Sequence, residues 1–323
     1  FFKQKTAYEI SACLVGSGVG EGVGANVTTV EPGDRVVLTF DSDQDCTSCN
    51  AGHPAYCEDF FAHNFGGSRP EDGTSPLSRD DEALSGRFFG QSSFATHSIA
   101  TERNVVKVDD DVPLELLGPL GCGIQTGAGA VMNTLDPEAG SSSAIFGAGS
   151  VGLAALLGAD IKGCTDVVSV DLEPNRLETA AELGATATVN PGEVDDVVAA
   201  VREATGGGAD YAVESTGVPD VAEQAVETLT QRGTLAVVGA PALGTRASYD
   251  VNDLILNGRS ITGVVEGDSN PTEFIPDLIE LYRQGKFPFD ELVSYYDFDE
   301  IQAAVEASEA GTAIKPILRV SEP

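Results

Sequence analysis

The sequence predicts an α/β protein with a doubly wound parallel sheet in its second half and a smaller, separate domain before it. Three observations predict this. Strand-like and helix-like segments alternate regularly from about residue 141 to 241, the pattern of a parallel sheet covered by helices. Gly147, Gly149 and Gly152 form G-x-G-x-x-G where one strand runs into a helix, and the next strand ends in an acid, Asp171. A length of 323 residues suggests two domains.

The chain begins oddly. FFKQKTAYEI holds two of the six lysines. It back-translates without a break into a string resembling the flow-cell adapter of short-read sequencing libraries. CLVGS, residues 13–17, resembles the next adapter segment. Residues 1–17 are therefore expected to be foreign to the fold. That division leaves 18–121 as a first domain, 122–264 as a nucleotide-binding domain and 265–323 as a segment returning to the first.

DQDCTSCNAGHPAYC, residues 43–57, follows. Cys46, Cys49 and Cys57 lie too close together in a short polar loop to be separate core residues. Three thiolates converging on Zn²⁺ would fold such a loop around the metal. A closed site needs a fourth ligand. Asp43, three residues before Cys46, continues the spacing, and His53 competes with it. The run 68–87 reads as a polar surface loop. Phe88, Phe89 and Phe94 in FFGQSSF suit either an apolar substrate pocket or the first domain's core. In PLGCGIQTG, residues 119–127, Cys122 stands between glycines as a metal ligand or nucleophile. His63 and His97 have no ligand-like spacing, and Cys164 reads as core packing.

The alternation then starts. SSSAIFGAG is a strand entering glycines, and SVGLAALLGADIKG continues as a helix. TDVVSVD is a second strand, and PNRLETAAELG is a helix opened by proline and closed by glycine. TATVN is a strand. In the helix after it, Val194, Val197, Val198 and Val201 share one face. ADYAVESTG, a helix near 219–230 and GTLAVVGAP complete the run. Beyond it come a strand SITGVVEG and helices closed by Gly285 and Gly311. In the glycine motif the first glycine permits a tight turn, the second lets backbone approach a pyrophosphate, and the third allows close helix packing. Phosphate oxygens would meet the N–H groups of Ser150 and Val151 at the helix N-terminus. Asp171 would take the adenosine ribose hydroxyls and, with Glu173, repel a 2′-phosphate, which favours NAD. Arg176 could swing toward such a phosphate.

Charge bounds the partners. Eighteen basic residues against 51 acidic ones give −33, a surface that repels nucleic acid and anionic membranes. Scarce lysine, abundant aspartate and no tryptophan are expected of a cytoplasmic protein from a halophile. Clustered cysteines in such a chain favour metal over disulfides.

The cysteine loop and the glycine turn, in this order, resemble the zinc-containing medium-chain alcohol dehydrogenases, closest to the aryl- or benzyl-alcohol type. EPGDRVV at 31–37, FFGQSSFATHSIA at 88–100, PLGCGIQTGAGAV at 119–131, FGAGSVGLAA at 146–155, VVGAP at 237–241 and IKPIL at 314–318 carry the likeness. The resemblance implies a GroES-like β-rich catalytic domain, a Rossmann domain holding NAD, and two zincs. It implies hydride transfer from a small-molecule alcohol to the nicotinamide. It makes Cys122 the third catalytic-zinc ligand and puts Asp43 where a first structural-zinc cysteine is usual. Val238 and Gly239 join the cofactor site, and Lys315 stands where a cation meets the pyrophosphate. The region near 260–266 extends the sheet across a subunit interface in that family, which implies a homo-oligomer, dimer or tetramer. The other catalytic-zinc ligands lie before residue 18 in the family pattern, with the histidine falling at Leu14. The chain as written is therefore expected to lack catalytic zinc and alcohol oxidation. A sugar or polyol dehydrogenase of the same superfamily and a non-catalytic NAD-binding scaffold are the competing readings.

Self-repulsion among 51 acids should weaken the fold wherever salt does not screen it. Thermal unfolding should shift upward by many degrees between 0.1 M and 3 M salt. Equal midpoints would remove the halophilic reading.

Overall fold

The computed structural model describes residues 16–75 and 77–320. Most of the expected foreign tail lies outside them. Gly16 and Ser17, assigned to that tail, take part in the fold. Ser17 opens β1 (Ser17–Val19), which pairs antiparallel with β2 (Arg35–Leu38), and the Gly16 carbonyl accepts from the Leu38 N–H at 2.8 Å.

The 68–87 run is more ordered than a loop. It contains an exposed hairpin of β3 (Leu77–Arg79) and β4 (Glu82–Leu84), turning through Asp80 and Asp81 at positive φ. β5 (Val105–Val108) pairs antiparallel with β2 and completes a three-stranded sheet. Buried Asp41 anchors this domain from the inside. Arg103 reaches it with two bonds of 2.9 and 3.1 Å, Arg87 approaches at 3.4 Å and His63 at 3.3 Å. A carboxylate so placed is stabilised only because its donors are built around it.

The second domain is a six-stranded parallel sheet. Its strands are β6 (Ser142–Phe146), β7 (Asp166–Val170), β8 (Ala187–Val189), β9 (Ala209–Glu214), β10 (Leu229–Val237) and β11 (Ser260–Gly263). The order β11-β10-β9-β6-β7-β8 reverses direction between β6 and β9, which leaves a crevice at their carboxyl ends. Alternating Val, Ile and Ala bury both faces against helices. The helix expected from Val194 begins at Val197. Asp196 has extended backbone and its carboxylate accepts from the Ala199 N–H at 2.9 Å, so it caps the helix there and leaves Val194 packing from outside. Sequence reading missed the helix Val251–Asn257, although Asp250 caps it and Gly258 closes it at φ 63°.

The last segment packs its helix Pro271–Arg283 among the core residues. It adds a parallel pair, β12 (Val293–Asp297) and β13 (Lys315–Arg319). Arg319 ties β13 to Glu115 of the helix Leu114–Leu117 with bonds of 2.8 and 3.0 Å. Among the described residues no helix is long and apolar enough to cross a membrane.

One contact positions the rest. The helix Gly123–Gly129 lies against the helix Ser150–Ile161 so closely that a Cβ at Gly127 would sit 1.9 Å from the Val151 carbonyl oxygen. The obstacle is backbone and cannot swing aside. Gly127→Ala should destabilise the chain by about 1–3 kcal/mol or more, read as a lowered midpoint in denaturant. An unchanged midpoint would show that the helices can part freely.

Candidate functional site

The crevice is built on the glycine turn. Gly147 leaves β6 at φ 93°, a conformation glycine adopts without strain. A Cβ at Gly152 would lie 1.7 Å from the Gly147 carbonyl oxygen, so the helix can start this tightly only with glycine there. A Cβ at Gly149 would meet nothing within 4 Å, so the turn faces open space in front of the Ser150 and Val151 N–H groups. That space is part of a cleft of about 1060 Å³ lined by Gly149, Ser150, Val151, Asp171, Arg176 and Phe94, among others. Its shape and its row of free helix-start donors fit a dinucleotide.

Asp171 is held at the rim. One carboxylate oxygen accepts from the Ala148 N–H at 2.6 Å and the other from the Glu173 N–H at 2.9 Å. Arg176 places Nη1 3.9 Å from Asp171, and its buried Nε has no hydrogen-bond partner. The Val238 and Gly239 N–H groups both donate to the Glu214 carbonyl at 2.8 and 2.9 Å. Glu214 itself escaped the sequence reading. Its carboxylate accepts from the Thr216 and Gly217 N–H groups and shapes the turn after β9, while burial pushes its pKa up. Also missed were Ala304, Val305 and Ser308 of the helix Ile301–Glu309, which wall the cleft. No local motif marks them, because only the return of the chain brings them there.

Lys315, at the start of β13, is almost wholly buried. It meets the same corner as Cys122. A Cβ at Gly123 would lie 3.3 Å from Ser150 Oγ and 3.9 Å from Lys315 Nζ. Cys122 therefore stands one residue from the glycine turn, at the start of the helix Gly123–Gly129. Its thiol donates to Glu266 Oε1 at 3.6 Å and packs beside Phe40, Ala55 and Phe89. Phe88 and Phe89 stack into this cluster with Phe65, so they act as core, while Phe94 reaches the cleft. Burial holds the Glu266 carboxyl up at about 7, against donors from Cys122, Thr126 and Gln125.

The cysteine loop gathers as a second site. One ligand atom from each of Asp43, Cys46, Cys49 and Cys57 lies within 4.8 Å of all the others. Cys46 caps the short helix Thr47–Asn50, its sulfur accepting from the Cys49 N–H at 3.5 Å. Asp43 Oδ1 accepts from the Cys46 and Asp45 N–H groups, and these bonds hold its pKa well below the usual carboxylate range. Burial pushes the Cys49 thiol up to about 12 and also raises Cys57. A carboxylate and three crowded sulfurs fit a tetrahedral zinc, whose charge would let the thiols ionise. His53 is not in this group; its Nδ1 lies 3.1 Å from Asp268 instead.

Among the described residues, the groups of three or more possible ligands do not include Cys122. These residues alone do not fit the three-ligand centre of a catalytic zinc. His63 is committed to Asp41, exposed His97 approaches Glu21 at 3.1 Å, and burial lifts the half-buried Cys164 thiol to about 11.

Comparison with known proteins identifies both halves of the chain. The family described as "Alcohol dehydrogenase GroES-like domain" matches residues 3–110, and "Zinc-binding dehydrogenase" matches residues 150–284. A geraniol dehydrogenase of Castellaniella defragrans is 47% identical over 303 residues, covering 94% of this chain and 81% of its own. An alcohol dehydrogenase zinc-binding domain protein from Burkholderia ambifaria superposes with a TM-score of 0.91 at 54% identity, over 95% of this chain and 82% of its own. The benzyl alcohol dehydrogenase of Acinetobacter calcoaceticus gives 0.90 at 51% identity, over 94% of this chain and 82% of its own.

Since Cys49 and Cys57 are held protonated without metal, zinc must displace protons to bind. Zinc affinity should therefore fall as pH is lowered, and zinc uptake in weak buffer should acidify the solution. Asp43→Ala should weaken zinc binding by more than about tenfold, the cost reported even for outer-shell partners. Competition with a chromogenic chelator checks both, and pH-independent uptake would contradict the assignment.

Proposed function

The chain belongs to the zinc-type medium-chain alcohol dehydrogenases, a family that uses NAD and zinc, and from that premise we propose that its site serves NAD-linked oxidation of primary aryl or similarly apolar alcohols to aldehydes. The observation that carries this reading is the seating of Cys122 one residue from the place where Gly123 abuts Ser150 and Lys315. The backbone that carries the thiol thereby adjoins Ser150, which lines the cleft.

NAD, when bound, supplies the hydride acceptor. In this reading the chain's own residues hold it in place. The Ser150 and Val151 N–H groups would meet the pyrophosphate beside open Gly149, with the buried Lys315 cation near the same corner. Asp171, already fixed by two backbone donors, would take the ribose hydroxyls and exclude a 2′-phosphate. Arg176 would lie along the adenosine end, and Val238 and Gly239 would border the nicotinamide end. Phe94 would present an apolar face to an aromatic alcohol. The relatives named geraniol and benzyl alcohol dehydrogenase support such a substrate. The Asp43, Cys46, Cys49 and Cys57 loop would hold a structural zinc. The domain boundaries at 121/122 and 264/265 follow the same reading.

A homo-oligomer suits the free edge of β11. That strand ends the sheet, and Val251, Ile255 and Leu256 lie exposed on the helix just before it. An exposed sheet edge beside apolar side chains is a surface a second copy can cover.

Asp171→Ala should raise the dissociation constant for NAD by at least about tenfold and narrow the preference over NADP, measured by NADH fluorescence at molar salt. Unchanged NAD binding would refute the ribose assignment. The 323-residue chain should bind NADH yet oxidise benzyl alcohol far more slowly than the Acinetobacter enzyme assayed alongside. Whatever rate remains should favour benzyl alcohol over glucose. Preference for glucose would support the polyol reading.

A further inference from the structure

Between the two sites runs a turn that neither explains. Glu266, Gly267 and Asp268 have φ of 48°, 70° and 48°, three successive left-handed residues of which two are not glycine. Such backbone is held only where its surroundings impose it. The surroundings are tight. A Cβ at Gly267 would lie 2.3 Å from the Gln125 carbonyl oxygen, and one at Gly129 would lie 2.3 Å from the Gly267 carbonyl oxygen. Asn133 Nδ2 donates to the Gly267 carbonyl at 3.0 Å, and Ser269 Oγ donates to the Glu266 carbonyl at 2.7 Å.

The forced conformation sends the two flanking side chains to different places. Glu266 reaches the Cys122 thiol at 3.6 Å, with Gln125 Nε2 and Thr126 Oγ1 each at 3.4 Å. Asp268 reaches His53 of the cysteine loop at 3.1 Å. The same loop also donates Tyr56 Oη to the Gly263 carbonyl at 3.3 Å, just before the turn. Thus one turn touches the cysteine loop on one side and the buried Cys122 thiol on the other.

We propose that the Glu266–Asp268 turn is a positioning element through which the metal-filled Asp43–Cys57 loop holds Cys122 in place. The inference rests on the loop's zinc reading and deepens the site reading of Cys122. Glu266 and Asp268 act through other residues; neither is assigned a part in the chemistry. Emptying the loop, or cutting the His53 and Tyr56 hydrogen bonds, loosens the turn and lets the thiol open to solvent.

The test uses the full chain at molar salt and follows alkylation of individual cysteines by iodoacetamide with peptide mass spectrometry. Cys122 is nearly closed to solvent, so its labelling reports local opening. Chelation of zinc should speed Cys122 labelling by about threefold to tenfold. The zinc-loaded His53→Ala/Tyr56→Phe variant should do the same with its zinc content unchanged. Cys164, whose thiol faces neither site, should keep its rate and so separates local release from general loosening. Unchanged Cys122 labelling in the zinc-retaining variant would overturn the coupling, as would a parallel rise at Cys164. A chain that takes up no zinc would fail the loop reading instead, and a chain that does not bind NADH would fail the cleft reading. Each failure has its own readout.

Discussion

The molecule depends on a close backbone contact between two helices. Where Gly127 meets the Val151 carbonyl there is no room for even one carbon. Helices approach this closely only where side chains are absent from the seam, and the resulting packing is stiff. Its consequence is positional. The helix that follows Cys122 is pinned to the helix that starts at Ser150, so a buried thiol and an open helix N-terminus are held near one another. Gly123 against Ser150, and Gly129 against Gly267, continue the seam in both directions.

Around that fixed seam the polar interior is arranged by local donors. Asp171, Glu214 and Asp43 each receive two backbone N–H groups, and each thereby shapes a turn at a functional edge. Asp41 is different in kind, a buried anion ringed by two arginines and a histidine. Removing Arg103, which makes the two closest of the arginine bonds, would leave that buried charge underpaired, whereas the turn-shaping carboxylates depend on backbone that substitution does not remove. In a chain with 51 acids, very few are used this way. Glu266 is buried as well, and most of the other described acids lie on the surface, where their effect is collective and set by salt.

Much of the sheet was legible because its signals are local. Strand-to-glycine junctions, proline at helix starts and glycine at helix ends each act within a few residues, and β6 through β9 follow them closely. The start at Val197 shows the limit of periodicity: Val194 obeys the helical spacing, yet the Asp196 cap overrules it. The cysteine loop was legible from spacing, but the choice between Asp43 and His53 was not. Backbone bonds fold Asp43 back over the sulfurs, while His53 is drawn toward a residue more than two hundred positions later. The turn at Glu266 reads in the sequence as the end of a strand SITGVVEG, but β11 stops at Gly263 and the chain turns instead. Nothing in VVEGDS announces three left-handed residues, since their strain is imposed by a helix 140 residues upstream.

The far wall of the dinucleotide cleft is made by Ile301, Ala304, Val305 and Ser308, with Ile314 and Pro316 behind them. In chain order these residues follow the six-stranded sheet and the glycine turn, so a later segment closes a groove that earlier ones open. The open helix start at Ser150 is thus set by local sequence, while the depth of the groove in front of it depends on residues about 150 positions further on.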